Sequence, residues 1–255
     1  MSDLIVEQRD HALWLTIDRE ERRNAMSPAV VEGITEGIRR ACRDNLRVVV
    51  ITGVGDKAFC AGADLATGKS FKFDYSVVSQ PFASLLRVAV ASTVPLVARV
   101  NGTCMAGGMG LLSMCDMAVA ADHALFGLPE VKVGVFPMQV LSVLQRIVPS
   151  RVLYEMCLMG EPIDATEAKA VGLVNRICPR SELDATLDKF LARMLDKAPS
   201  AIRRGRYTMR RIEAMSFEES ISFTESQIGL LAMTEDAQEG QLAFREKRKP
   251  VWPGR

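Results

Sequence analysis

The sequence predicts an α/β layer followed by an all-helical C-terminal region, and three observations predict it. Short apolar runs of strand length alternate with amphipathic stretches through the first two-thirds of the chain. Glycine-bearing turns follow several of the buried runs. From Ser150 onward helix start and stop signals recur while the strand signal largely disappears.

The elements can be justified in order. Ala12 to Asp18 (ALWLTID) alternates and is rich in strand formers. Ser27 and Pro28 supply a cap and a first-turn proline. Val30, Ile34, Ile38 and Ala41 then form an apolar stripe, with Glu32, Glu36, Arg39 and Arg43 outside. Arg47 to Gly53 (RVVVITG) reads as a fully buried strand, and Pro95 to Val100 and Asp116 to Ala121 are two more. Between the last two lie a glycine-rich turn and a short helix starting near Gly107. Downstream, SRVLYEMCLMG has Ser150 as a cap and Gly160 as a stop. Asp164 and Glu167 have capping-box spacing ahead of Gly172. After the brief LVNRIC, helices are predicted over 181–198, 200–215 and 217–232. So many helices cannot bury a core of their own and must pack on the sheet or on a partner subunit.

Bulk composition narrows the function. The chain has 255 residues, 48% hydrophobic and 25% charged, with 32 basic against 31 acidic side chains. A net charge of +1 argues against a broad nucleic-acid-binding face, which needs a clustered basic excess. The exception is the tail, FREKRKPVW, read either as a solvated, partly frayed end or as an anion contact. Six cysteines include no C-x-x-C pair, and two histidines make no credible zinc site. The N-terminus lacks a secretory signal, so a cytoplasmic location is expected. The apolar run from Val100 to Ala121 contains Asp116 and three interrupting glycines, so a buried strand–loop–helix–strand passage is expected there instead of a membrane span.

One stretch admits two chemistries. Ala63 to Ser70 fits a loosened phosphate-loop pattern, [AG]-x-x-x-x-G-K-[ST]. A phosphate loop follows its strand directly and opens a helix. Here fifteen residues separate Gly53 from Lys69, and FKFDYSVVSQP is poor helix material. The competing use joins FCAGAD to VNGTCMAGGMG, two glycine turns that each follow a buried strand. Unpaired main-chain N–H groups at such turns can hold a thioester oxygen as charge develops on it.

These residues resemble the crotonase family, the enoyl-CoA hydratase/isomerase superfamily. The resemblance runs from LTIDREERRNAMS through ITGVGDKAFCAGADL, VARVNGTCMAGGMGLLSMCDMAVA, ALFGLPEVKVGVFP and MGEPIDATEAKAVGLVNRICP to AFREKRKP. It implies a spiral core of ββα turns over residues 1–195, carrying an acyl-CoA site. A helical trimerisation region over 196–255 follows, giving a homotrimer or a dimer of trimers. It implies no separate cofactor, since coenzyme A is part of the substrate, and no nucleic-acid or membrane partner.

Site residues carry over by motif. The resemblance implies oxyanion donors at Ala63 and Gly107 and an acid/base carboxylate at Glu130, in FGLPE. It implies coenzyme A or substrate contacts at Arg22, Arg23, Ala61, Asp64, Leu65, Phe244 and Lys247, the last two able to reach the site across a subunit boundary. Asp116 is expected to accept hydrogen bonds beside the glycine turn. The family's hydratases carry a second glutamate three residues after the Gly107 position, and this chain has Gly110 there. Their P-G-x-G-G turn is here PMQVLS, so Met138 and Gln139 are expected to reshape the acyl pocket. Moving a double bond needs a single base, whereas hydration ordinarily shares its work between two carboxylates. Isomerisation is therefore the leading reading. Hydration with a substitute near Gln139 or Asp74, and acyl-CoA binding without catalysis, stay open.

Overall fold

Residues 2–64 and 73–255 are described by a computed structural model. A tight hairpin opens the chain, with β1 (Leu4–Arg9) antiparallel to β2 (Ala12–Ile17) and Asp10 at φ 49° in the turn. Positive φ at the turn matches the right-handed twist of the two strands. Helix α1 (Pro28–Arg43) starts where the cap signal placed it, with Ser27 Oγ accepting from Val30 N. Its stripe of Val30, Ile34, Ile38 and Ala41 is buried.

Three successive passages then repeat one pattern, two strands followed by a helix or helical turn. β3 (Val48–Gly53) and β4 (Ala58–Cys60) lead to α2 (Pro81–Ala91). β5 (Leu96–Val100) and β6 (Thr103–Met105) lead to α3 (Gly107–Met114). β7 (Met117–Ala121) and β8 (Leu125–Gly127) lead to a 3-10 turn, Pro129–Val133. The longer strands make a six-stranded sheet ordered β1-β2-β3-β5-β7-β10, with β10 at Arg176–Cys178. The shorter ones make a second sheet, β4-β6-β8-β9, closed by β9 at Ile163–Asp164. Apart from the pairs β1–β2 and β8–β9, all pairings are parallel.

The inner strands of the first sheet are buried on both faces, which is why β3 reads as one unbroken apolar run, while the edge strand β1 is largely exposed. Leu13, Leu15, Val49, Ile51, Leu96 and Ala98 face the cluster formed with α1, α2, α3 and the second sheet. Trp14, Val48, Val50, Val97 and Val119 face the other way, against Leu183, Leu187 and Leu191 of α7 (Leu183–Leu195). The apolar run from Val100 to Ala121 is thus strand, turn and helix, and among the described residues no helix is long and apolar enough to cross a membrane.

The remaining helices are α4 (Met138–Leu144), α5 (Ser150–Met159), α6 (Ala165–Ala170), α8 (Pro199–Ile212), α9 (Phe217–Ala232) and α10 (Glu235–Glu246). Two expectations need correction. Ser150 is the first helical residue of α5 and not its cap, because Pro149 holds that position with no side-chain acceptor. The C-terminal tail is anchored, not frayed. Arg248 pairs with Glu239 and Glu246, Val251 N donates to Glu239, and Gly254 N donates to Asp236. Helix α10 escaped the sequence reading because its small and charged residues leave only a weak apolar stripe.

Asp116 accepts hydrogen bonds as expected, but at the far end of α3 from the glycine turn. Its carboxylate takes Leu96 N at 2.8 Å, Arg206 Nε at 2.7 Å and Arg210 at 3.1 Å. Arg206, almost wholly buried, also donates to the carbonyls of Ala89 and Ser92. One carboxylate therefore ties α8 to the edge of α2 and the start of β5.

Candidate active site

Parallel pairing brings the site together. β4, β6 and β8 are adjacent in the second sheet, with Cys60 beside Cys104 and Met105 beside Gly127. All three strands run in one direction, so the chain leaves each at the same edge. Ala63 lies three residues beyond β4, Gly107 two beyond β6 and Glu130 three beyond β8. Adjacent strands are about 4.8 Å apart, so the exit points span about 10 Å. Ligands sit at this edge in open α/β sheets because the backbone there ends in unpaired groups.

The Ala63 turn is shaped by its partner segment. Met26 N donates to Gly62 O at 2.7 Å, and Asp64 N donates to Met26 O at 3.1 Å. Ala63 sits between these bonds as the centre of a parallel bridge to Met26. Alternation along the strand therefore turns its own N–H to the opposite side. Among the described residues no acceptor meets that N–H, and Ala63 is exposed.

The Gly107 turn is shaped by strain. Ala106 adopts φ 51° and ψ −124°, the first central position of a type II′ turn, where glycine is normal. A non-glycine residue held there costs about 1–3 kcal/mol. Its ψ sets the plane of the next peptide, and hence the direction of Gly107 N–H at the start of α3. Ala106 N donates to Gly127 O at 3.0 Å, which locks the turn to β8. Gly62, at φ 99°, makes room for this arrangement. A Cβ there would stand 2.8 Å from Ala106 Cβ and 3.1 Å from Gly107 N. A Cβ on Gly107 would stand 3.6 Å from Ala63 N. The two amides thus border one small volume, with the positive end of α3 behind them. Ala106 was not anticipated, because nothing in MAGG marks an alanine for positive φ.

Glu130 follows Pro129 in the 3-10 turn. The residue is half-buried, yet Oε2 is sealed from solvent and has no partner among the described residues. Burial raises its pKa above the usual 4.5, and a bond from its own main-chain N–H only partly offsets this. A carboxylate oxygen kept dry and without donors is suited to taking a proton from carbon, which offers no competing hydrogen bond. The expectation of a second polar group nearby meets two obstacles. Asp74 is exposed, its carboxylate already accepts from Ser76 N and Oγ, and those bonds lower its pKa. Gln139 is exposed and lines a separate cavity of about 730 Å³ with Arg87, Ser113 and Arg146. Met138 also points outward, 70% exposed, and the α4 side chain that approaches Gly110 of α3 is Val140.

The coenzyme A positions divide. Arg22 and Arg23 are exposed, and Arg23 O accepts from Ala61 N at 3.1 Å, placing both arginines at the rim of the Ala63 turn. Asp64 is buried and held by Arg19 Nη2 at 2.7 Å, so its carboxylate braces the turn. Leu65, like the Lys69–Ser70 end of the phosphate-loop pattern, lies outside the described residues. Phe244, 85% exposed, and Lys247, at φ 53°, sit at the end of α10, which packs on α8 and α9. Within one chain the structure does not bring them to the glycine turns. The six cysteines form no disulfide, and burial pushes Cys60 up to about 12, so it behaves as a small apolar group. Among the described residues no cluster of acidic, histidine or cysteine side chains could hold a metal ion.

Comparison with known proteins gives one answer. The profile of the family described as enoyl-CoA hydratase/isomerase matches residues 7–255. The chain is 34% identical over 254 residues to enoyl-CoA hydratase domain-containing protein 3, mitochondrial, of Xenopus laevis, covering 98% of this chain and 86% of that one. It is 33% identical over 260 residues to 2,3-dehydroadipyl-CoA hydratase of Escherichia coli K12, with both chains fully covered. The crystal structure of an enoyl-CoA hydratase of Mycobacterium smegmatis superposes with a TM-score of 0.91 at 29% identity, covering 98% of each chain. On these matches the chain belongs to the enoyl-CoA hydratase/isomerase family, the crotonase family.

Proposed function

We propose that the protein shifts the double bond of a 3-enoyl-CoA to the 2-position. One observation carries the reading: among the described residues, Glu130 is the carboxylate at the site edge with a sealed, unpartnered oxygen, whereas Asp64 is held by Arg19, and position 110 has no side chain. Glu130 removes a proton from C2. The electrons move toward the thioester oxygen, where the N–H groups of Ala63 and Gly107 stabilise the dienolate. The same carboxyl group returns the proton at C4, leaving a C2–C3 double bond. One proton leaves and one is returned, so no water is consumed. Arg22 and Arg23, exposed at the rim of the Ala63 turn, supply charge-assisted bonds to the coenzyme A phosphates in this reading.

The paired assay tests this reading. Purified protein is offered 3-enoyl-CoA and 2-enoyl-CoA separately, beside Glu130→Gln. Turnover of the 3-enoyl substrate, abolished in the variant, is the expected result. Hydration of 2-enoyl-CoA alone would favour the hydratase reading, which the names of several relatives carry. Binding with no turnover of either substrate would leave an acyl-CoA-binding protein. A trimer is part of the same proposal. Phe217, Ile228, Met233 and Phe244 are exposed on α9, at its end and on α10, an apolar surface suited to a second copy. Sedimentation at equilibrium measures it.

A further inference from the structure

Position 110 is not an open vacancy. A Cβ built on Gly110 would stand 2.7 Å from Phe82 Cζ, 3.2 Å from Phe82 Cε1 and 3.4 Å from Val140 Cγ2. Gly110 lies one helical turn beyond Gly107, the oxyanion donor assigned above, on α3. Phe82 comes from the first turn of α2 and Val140 from α4, so two other elements converge on this one point. Real Cβ atoms do not approach carbon to 2.7 Å, so any side chain at 110 requires the ring to move.

We infer that Phe82, backed by Val140, occupies the volume into which a side chain at 110 would project and so determines the single-carboxylate character of the site. The missing carboxylate is then a property of two positions, and restoring glutamate at 110 alone cannot restore its function. In place of a group that could hold water, the site has an apolar wall. Such a wall keeps water from the dienolate and favours return of the proton over hydration. This rests on the acyl-CoA reading above for its chemistry, but not for its packing.

The packing half is tested without substrate. In an unobstructed helix Gly→Ala raises Tm by roughly 2–4 °C in a chain of this size. With the ring in place, Gly110→Ala lowers Tm by roughly 2–8 °C, the usual effect of overpacking. In a Phe82→Leu background, chosen because leucine keeps the core filled and lacks the Cζ reach, the same change raises Tm. An identical response in both backgrounds overturns the inference.

The chemical half uses the same pair. In Phe82→Leu/Gly110→Glu, the new carboxylate takes a proton from water as its oxygen bonds to C3, while Glu130 supplies one to C2. Hydration of 2-enoyl-CoA by the double variant at least tenfold above Gly110→Glu alone is expected. Equal hydration by both overturns the ring as determinant, and so does no hydration by either. If Glu130→Gln stays fully active, the assignment of Glu130 as the base fails, while the Tm comparison still judges the packing.

Discussion

Ala63 N lies 3.6 Å from where a Cβ on Gly107 would stand, so the two main-chain amides border one small space, and Met26 Cε, 2.7 Å from that point, limits what else can enter it. Met26 organises this from outside, bonding to Gly62 and Asp64 and leaving the Ala63 N–H uncommitted. Ala63→Pro removes that N–H while sparing the Gly62 carbonyl and Asp64 N–H that bond Met26. A fall in kcat of about 100- to 1,000-fold is expected, the usual loss for one oxyanion donor. Far-UV circular dichroism checks that the fold survives, and a variant that folds and retains full kcat would exclude Ala63 as a donor.

Gly62→Ala tests the same space from the other side. The new methyl would sit 2.8 Å from Ala106 Cβ, at a backbone φ of 99°. Loss of about 1–3 kcal/mol of stability is expected from the conformation alone. Urea denaturation measures that loss, and the accompanying fall in kcat should exceed any rise in KM.

Glu130 makes stability and activity respond oppositely to pH. Its folded pKa lies above the usual 4.5, because burial penalises the ionised form. Its contribution to stability is fully present below 4.5 and is lost as pH rises through the higher folded value. Glu130→Gln is therefore expected to be more stable than the native protein near pH 7, with the gap closing below pH 4.5. Activity needs the ionised base, so the acid limb of kcat/KM should fall above 4.5. A Tm series from pH 4 to 8 and a pH–rate profile check the two directions.

Asp116 is expected to be the most costly single loss outside the site. Asp116→Ala leaves Arg206 almost wholly buried beside main-chain carbonyls, with its charge uncompensated. Breaking one partner of a buried pair typically costs about 3–5 kcal/mol. Chemical denaturation at fixed protein concentration reads it. A change below about 1 kcal/mol would show that the arginine finds water instead.

Much of the fold was legible because the governing signals are local. Ser27 and Pro28 start α1, the Asp164–Glu167 box starts α6, and β3, β5 and β7 are apolar runs bounded by turns. The short strands β4, β6 and β8 were not legible. Three residues carry no period, and they become strands only through pairing with one another. Helix α10 and the anchored tail depend on Glu239, Asp236 and Arg248 meeting across nine or more residues, a match no window displays.

The order of residues alone carried the motifs by which the chain resembles its family, and that resemblance proposes Ala63 and Gly107 as donors and Glu130 as the carboxylate, with Gly110 where the hydratases have a second glutamate. Motifs are identities in order, and they survive without coordinates. Tertiary structure decided what surrounds them: strain at Ala106, the lack of room for a methyl at Gly62, Arg19 holding Asp64, and the Phe82 ring over Gly110. The reason is physical. Direction of an N–H, dryness of a carboxylate and occupancy of a void depend on groups that are distant in sequence and meet only when the sheets close.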